Sequence, residues 1–380
     1  MKPNPLIVLL SLASNALAWR CFCGYSVNRT SDQHFSIFTH VSETDFLHTD
    51  GANPKLSIQA PGWTVDVKNK TATQANSTLG SSQQLDNVIT NALPKAKWGV
   101  PPALFGDAGL QLWVRHGMED GMVPVAGVSN SLSLGHDEKE RMLYGSYRAG
   151  IKFSGVNGTR GVFGWESQEG TRKQSISMAF AANAAKNIAM NVHNTDSEDQ
   201  KHDTSFEMSF NSIFHFPEEF HELRFDFLPD RIDFYIEDHL ILTQSETVPT
   251  SPGSLSLKHY VEDGREDPPA HDAVMTVSYV KAYYNTTAHG EPLSTCYDVK
   301  DNICVVPDQR TPPNSNGKKT HFYTPVADDG EAEKHDHVNI GHVGYGQKPD
   351  GPKNVASAAT LWNGVLFASG LLLVAIVRFL

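Results

Sequence analysis

Apolar and polar residues alternate along the stretch from Leu223 to Tyr284. The segments LRFDF (223–227) and IDFYI (232–236) each place three apolar residues on one face and polar or tyrosine residues on the other. A period of two is typical of strands with one buried face. The β-branched run AVMTVSYV (273–280) predicts another strand. Helical periodicity is absent from this stretch, so we expect an antiparallel sheet.

The same alternation occurs earlier in the chain. In residues 109–116, Leu110, Leu112 and Val114 face one way, and Gln111, Trp113 and Arg115 face the other. The segments GVSNSLSLG (127–135) and YGSYRAGIKF (144–153) continue the pattern, with glycines that suit bends or close backbone approach. The chain is therefore predicted to be all-β.

Composition narrows the class of partner. The chain has 380 residues, a formal net charge of −12 and a pI of about 5.7. Binding of nucleic acid needs clustered Lys and Arg, so we expect no nucleic-acid partner. A neutral glycan remains compatible with this charge.

Both ends of the sequence have the pattern of targeting signals. Residues 1–18 combine a basic start, an apolar run and a small-x-small site, which predicts a signal peptide. Residues 359–380 form a hydrophobic tail that follows small residues, which predicts a GPI-attachment signal with Asn354 or Ser357 as acceptor. An ordinary C-terminal membrane helix is the alternative. We therefore expect a cell-surface protein held on the membrane only through a GPI lipid.

The region between these signals divides in two. Residues 19–296 carry the strand patterns, whereas residues 297–358 are too poor in apolar residues to form a core and are predicted to be a disordered stalk. In a secreted protein, Asn-x-Ser/Thr sequons mark surface sites of glycosylation. The sequons lie at Asn28, Asn69, Asn76, Asn157 and Asn285.

The cysteines fit an oxidising compartment. Cys21, Cys23, Cys296 and Cys304 allow three pairings. Because Cys21 and Cys23 are too close to favour each other, we expect the N-terminal pair to reach the C-terminal pair and join the two ends. A local Cys296–Cys304 bridge is the alternative. The secretory context favours disulfides over a metal site, and no metal or other cofactor is predicted.

Several segments together resemble glycoside hydrolase family 16, in particular secreted fungal members related to β-1,3(4)-glucanases and cell-wall transglycosylases. They are CFCGYSVN (21–28), ETDFLH (43–48), GLQLWVR (109–115), DGMVPVAG (120–127), YGSYRAGIKF (144–153) and the run from residue 220 to residue 285. The resemblance implies a concanavalin-like jelly-roll sandwich with one sheet curved into a sugar-binding cleft.

The resemblance also implies a catalytic strand with the sequence Glu-x-Asp-x-Glu. Residues i, i+2 and i+4 of a strand share a face, so the two glutamates flank one bound sugar as nucleophile and acid/base. The equivalent strand here is QSISMAF (174–180), with Ser175, Ser177 and Ala179 at the cleft positions. No acid occurs in this segment, so loss of the family's hydrolytic mechanism is expected.

Upstream carboxylates offer the only substitutes. Glu166 and Glu169 lie in GWESQEG, three residues apart, and would face opposite ways on a strand. We interpret both as solvated loop charges.

The predicted sugar platform is altered as well. The family usually carries a His-Trp pair before its Pro-Pro, where this chain has His259 and Tyr260. Together with Trp113 and Trp165 these residues are candidates for carbohydrate binding, although packing in the core is an equal alternative for each aromatic residue.

Three functional hypotheses follow. The first is a non-catalytic surface protein that binds, or is displayed on, cell-wall β-glucan. The second is an active hydrolase or transglycosylase that uses other acids. The third is a structural wall protein without glycan binding.

Overall fold

The computed structural model confirms the all-β jelly-roll fold. Its described residues are 24–27, 37–47, 62–71, 79–91, 107–130, 141–182, 187–197, 200–209, 219–262, 265–286 and 303–306. Within these ranges the helical structure consists of one 3-10 turn, Leu85–Asn87. No helix in the described ranges is both long and apolar enough to cross a membrane.

The described strands, in chain order, are β1 Tyr25–Ser26, β2 Ile37–Phe38, β3 His40–Asp45, β4 Trp63–Val65, β5 Asn69–Lys70, β6 Gly80–Gln83, β7 Val88–Asn91, β8 Gly109–Val114, β9 Met122–Asn130, β10 Met142–Phe153, β11 Thr159–Glu169, β12 Arg172–Ala181, β13 Asn187–Ser197, β14 Gln200–Ser209, β15 His221–Phe227, β16 Ile232–Ile236, β17 His239–Gln244, β18 Ser254–Val261, β19 Ala273–Thr286 and β20 Cys304–Val305.

These strands form two large sheets and one small one. The groove sheet has the order β14-β13-β12-β11-β18-β9-β6-β5, with β4 paired to β9. The back sheet has the order β17-β16-β15-β10-β19-β8-β7, with β3 paired to β19. The small sheet has the order β2-β1-β20. Pairing within the large sheets is antiparallel except between β6 and β9.

The core lies between the two large sheets, where the alternating patterns predict it. From the back sheet, β15 contributes Leu223, Phe225 and Phe227, all fully buried. From the groove sheet, β12 contributes Ile176 and Met178, also fully buried. Apolar residues on alternate positions thus interdigitate across the sandwich.

The outer face of the back sheet is buried too, which the alternation alone does not predict. Glu222, Arg224 and Asp226 point away from the core, yet each is at most 3% exposed. The Nε atom of Arg224 donates to Asp226 Oδ1 over 2.8 Å, so these two charges are paired, and Glu222 accepts from the Tyr279 hydroxyl over 2.5 Å. Buried charges are stable only with such partners. Apolar residues of the small sheet cover part of this face: Tyr25, Phe38 and Val306 pack against Tyr283 and Leu228.

The two ends of the domain meet in the small sheet. β1 pairs in parallel with β20, with Tyr25 opposite Cys304. Residues 303–306, which the sequence assigns to the stalk, therefore return to the fold, and the predicted boundary at residue 296 is too early. Cys304 is disulfide-bonded. Cys21, Cys23, Cys296, both candidate GPI acceptors, and the predicted leader and tail lie outside the described residues.

Candidate functional site

A groove of about 1110 Å³ lies on the face of the groove sheet that is turned away from the core. It crosses β13, β12, β11, β18, β9 and β6, and the segment 66–70 forms part of one wall. A groove that crosses several strands suits an extended chain ligand.

Cross-strand register arranges the outward face of the groove sheet in rows. His193, Ser175, Glu166 and Ser254 are neighbours on four successive strands. The next row is Asn191, Ser177, Gly164, Ser256 and Ser129. The row after it is Ala189, Ala179, Val162, Lys258 and Gly127.

The three predicted catalytic-strand positions lie on this outward face of β12. Ser175 lines the groove. The Ser177 hydroxyl accepts a hydrogen bond of 3.4 Å from Asn191 Nδ2. Ala179 is buried in a small cluster with Val162, Ala189 and Tyr260. Of the three positions, Ser175 is the one among the described residues that line the groove.

Glu166 is a carboxylate next to these positions. It lies on β11 opposite Ser175, not in a loop, so the interpretation as a solvated loop charge is wrong for this residue. The Lys258 ammonium forms an ion pair with Oε1 of Glu166, and Ser256 Oγ donates to the same oxygen over 3.0 Å.

The electrostatics of this contact keep Glu166 charged. Burial acts to raise the pKa of the carboxyl, but the Lys258 ammonium and the Ser256 hydroxyl lower it, helped by the charge of Lys68, and the net pKa lies below its ordinary value. Glu169 lies at the exposed end of β11 and accepts from Ser251 Oγ over 3.1 Å. It is not among the described residues that line the groove.

The predicted aromatic platform is dispersed through the molecule. Trp165 is fully buried between the sheets, where its Nε1 donates to the Met142 carbonyl over 3.2 Å. His259 is also fully buried and contacts Phe153 edge-on. Neither residue can contact a ligand in the groove, because both point into the core.

Trp113 and Tyr260 lie on different sheets. Trp113 belongs to β8 of the back sheet, where the Arg115 guanidinium stacks 4.5 Å from its ring centroid. Tyr260 alone of the four candidates lines the groove. Alternation along the strands indicates which face each of these residues occupies. His259 shares its face with Leu255 and Leu257, and Trp113 shares its face with Gln111.

Three of the predicted glycosylation sites are described. Asn157 lies in an exposed turn. Asn69 is exposed at the groove wall, and its Oδ1 accepts from Ser82 Oγ over 2.8 Å. Asn285 is half-buried, and its Nδ2 donates to the Ile37 carbonyl over 3.2 Å. Asn28 and Asn76 lie outside the described residues.

Sequence reasoning missed Lys258, Ser256 and the basic residues of the groove wall. Lys258 and Glu166 are far apart in sequence and meet only because β18 pairs with β11. The described residues hold no group of His, Cys, Asp or Glu side chains arranged to bind a metal ion.

Comparison with known families agrees with this geometry. Residues 95–281 match the family model "Glycosyl hydrolases family 16". The domain that these residues form belongs to glycoside hydrolase family 16, and its function is accordingly carbohydrate-related.

Solved structures of glucanases are similar in fold. The laminarinase catalytic domain from Thermotoga maritima has 13% identity and a TM-score of 0.48, covering 66% of this chain and 99% of that one. The endo-1,3-β-glucanase catalytic domain from Thermotoga petrophila has 14% identity and a TM-score of 0.47, covering 66% and 98%. A family 16 endo-glucanase from Bacteroides ovatus has 12% identity and a TM-score of 0.47, covering 63% and 98%. No curated protein sequence matches the chain.

Proposed function

We propose that the protein is a GPI-anchored surface protein whose family 16 domain binds a cell-wall β-glucan chain without cleaving it. Family membership supports a carbohydrate ligand, and the groove across six strands supports an extended one. The predicted leader and hydrophobic tail support display at the cell surface.

The observation that carries the proposal is the chemistry of the outward face of β12. The resemblance assigns the family's two glutamates and aspartate to Ser175, Ser177 and Ala179, which hold no carboxylate. Retaining glycosidases need two carboxyl groups about 5–5.5 Å apart, one as nucleophile and one as acid/base. A serine hydroxyl, unlike a carboxyl group, does not ionise near neutral pH and cannot serve as the acid/base, and neither role is filled on β12.

Glu166 does not replace the missing acid. A general acid must hold its proton at the working pH, which requires a raised pKa. The pKa of Glu166 is instead lowered, and its carboxylate is already bound by Lys258. The hypothesis of an active enzyme with other acids therefore has less support than binding alone.

Tyr260 is the residue we expect to contact the glycan. It is half-buried in the groove over Val162, Ala179 and Ala189, so its ring is held in place while part of its surface stays accessible. Aromatic rings offer a large rigid contact area at small entropic cost, which suits packing against a sugar ring.

The test uses the secreted ectodomain with laminarin and lichenan. We expect retention on insoluble β-glucan and no release of reducing ends. Tyr260→Ala should weaken binding roughly tenfold, the effect expected for loss of one stacking contact of about 1.4 kcal/mol. Trp113→Ala, on the back sheet, is the matched control and should bind like the wild type.

Release of reducing ends would support the enzyme hypothesis instead. Absence of retention would support a structural wall protein without glycan binding. Release of the protein from intact cells by phosphatidylinositol-specific phospholipase C tests the anchor separately.

A further inference from the structure

The groove has a basic surplus that the whole chain does not share. Its described lining includes the basic residues Lys68, Lys70, Arg141, Lys173 and Lys258. The acidic residues of the same lining are Asp66, Glu166 and Glu262. The protein as a whole has a formal net charge of −12. Positive charge is therefore concentrated in the groove against the sign of the chain.

Within the described ranges, most of these cations form no ion pair with an acidic side chain. Lys258 is neutralised by Glu166. In the part of the chain that the structure describes, Lys68, Lys70, Arg141 and Lys173 form no ion pair, and the first two and Lys173 are exposed. An unpaired, exposed ammonium group is free to bind an anion that enters the groove.

The groove is also poor in the groups that hold neutral sugars by stacking. Tyr260 and the imidazole of His193 are the aromatic rings among the described lining residues, and no Trp or Phe is among them. The other lining side chains are mainly hydroxyl, amide and charged groups. Hydrogen bonds from a charged donor to a charged acceptor are roughly twice as strong as neutral ones, so these lysines contribute most to a ligand that carries negative charge.

We propose that the groove selects a β-glucan-type chain that carries anionic substituents, such as carboxylate, sulfate or phosphate groups, over the same chain without them. This inference rests on the proposed glycan-binding function and adds the ligand's charge. A cleft lined by one sign of charge focuses its field and raises the local concentration of the opposite ion, so a polyanionic chain is attracted before it makes contact.

Two ligands with one backbone test the inference: laminarin and carboxymethylated laminarin of the same length, measured by isothermal titration calorimetry with the purified ectodomain. We expect the carboxymethylated chain to bind about tenfold more tightly at 50 mM NaCl. Raising NaCl to 1 M shortens the Debye length to about 3 Å and should remove most of this difference. Binding of laminarin itself should change little.

Variants test whether the groove lysines cause the preference for the anionic chain. Each exposed ion pair contributes only modestly, so we expect Lys68→Gln, Lys70→Gln and Lys173→Gln together to weaken binding of carboxymethylated laminarin about tenfold and to weaken binding of laminarin by a much smaller factor. The control is Lys152→Gln, on the back sheet, where Lys152 pairs with Asp107 over 2.8 Å. This control should leave both affinities unchanged.

The possible outcomes separate the two proposals. Equal affinity for both chains, or an anionic preference that the triple variant retains, overturns the charge inference and leaves glycan binding intact. Binding of neither chain overturns the glycan-binding function itself. Tighter binding of the carboxymethylated chain that the triple variant loses supports both.

Discussion

The imidazole of His259 has one hydrogen-bond partner in a fully buried site. Its Nδ1 lies 2.8 Å from the Leu112 carbonyl, so this nitrogen carries the proton and donates it. Its Nε2 is buried with no partner. A second proton on Nε2 would place an uncompensated charge in the core, so burial lowers the pKa to about 4, although the bond to Leu112 acts to raise it.

The low pKa of His259 makes part of the stability pH-dependent. The unfolded chain, with a histidine pKa of about 6.5, takes up the proton before the folded protein does. The contribution of the neutral His259 to the stability of the fold is therefore present in full above pH 6.5 and is lost as the pH falls to about 4. Over this pH interval we expect the unfolding free energy of the wild type to fall by about 3 kcal/mol more than that of His259→Gln. Urea unfolding at pH 7, 5.5 and 4 measures the difference.

The control for this prediction keeps the imidazole and changes its neighbour. Phe153 contacts the His259 ring with centroids 5.3 Å apart. Phe153→Leu should lower stability at every pH and keep the slope of the wild type. If the unfolding free energies of wild type and His259→Gln changed in parallel with pH, the pH dependence would not come from His259.

At the scale of the strands, the back sheet depends on close contact between β10 and β19. The register of this pair shifts between Gly150 and Ile151, where Gly150 lies opposite Tyr279 and Ile151 lies opposite Val277. Ser278 is left over between them and donates from its Oγ to the Gly150 carbonyl over 3.2 Å. A glycine is needed here because a Cβ would lie 2.4 Å from that Oγ and 2.6 Å from the Tyr279 ring.

Gly150→Ala should therefore destabilise the fold. The Tyr279 ring cannot move aside, since its hydroxyl donates to the buried Glu222 over 2.5 Å. Overpacking of this kind costs roughly 1–3 kcal/mol, which urea unfolding measures. Ser278→Ala on the Gly150→Ala background removes the nearest obstacle and should restore part of the loss. Full stability of the single variant would show that the bulge tolerates a side chain.

The strands also show which features a sequence can predict. Alternation assigns residues 223–227 and 174–180 to faces correctly, because burial of one face follows parity. It does not reveal that Arg224 is buried on the opposite face, where its guanidinium is bonded to Asp226 and lies 4.3 Å from the centroid of the Tyr235 ring. In β11, Gly161 and Gly164 interrupt the apolar pattern around Trp165 and conceal the face it occupies. The Glu166–Lys258 contact depends on the register between β11 and β18, which no local pattern encodes.

At the scale of the whole molecule, the beginning and the end of the domain meet in the small sheet. The Cys304 amide donates to the Gly24 carbonyl over 2.9 Å, and the Val306 amide donates to the Ser26 carbonyl over 2.8 Å. Val306 is buried against the apolar cluster that covers the back sheet. The end of the domain is thus fixed beside its beginning, and a disulfide at Cys304 acts at this junction.

The position of Cys304 predicts the partner of its disulfide. Its amide donates a hydrogen bond to the carbonyl of Gly24, which directly follows Cys23 in the sequence. We therefore expect a disulfide from Cys304 to Cys23 or Cys21. Non-reducing digestion and mass spectrometry of the secreted ectodomain should yield a peptide that joins the two ends of the domain. A bridge that closes so long a loop strongly restricts the unfolded chain, so Cys304→Ser should cost roughly 2–5 kcal/mol. A Cys296–Cys304 peptide would contradict this pairing, and the loss in Cys304→Ser should then be smaller, because a short loop restricts the unfolded chain less.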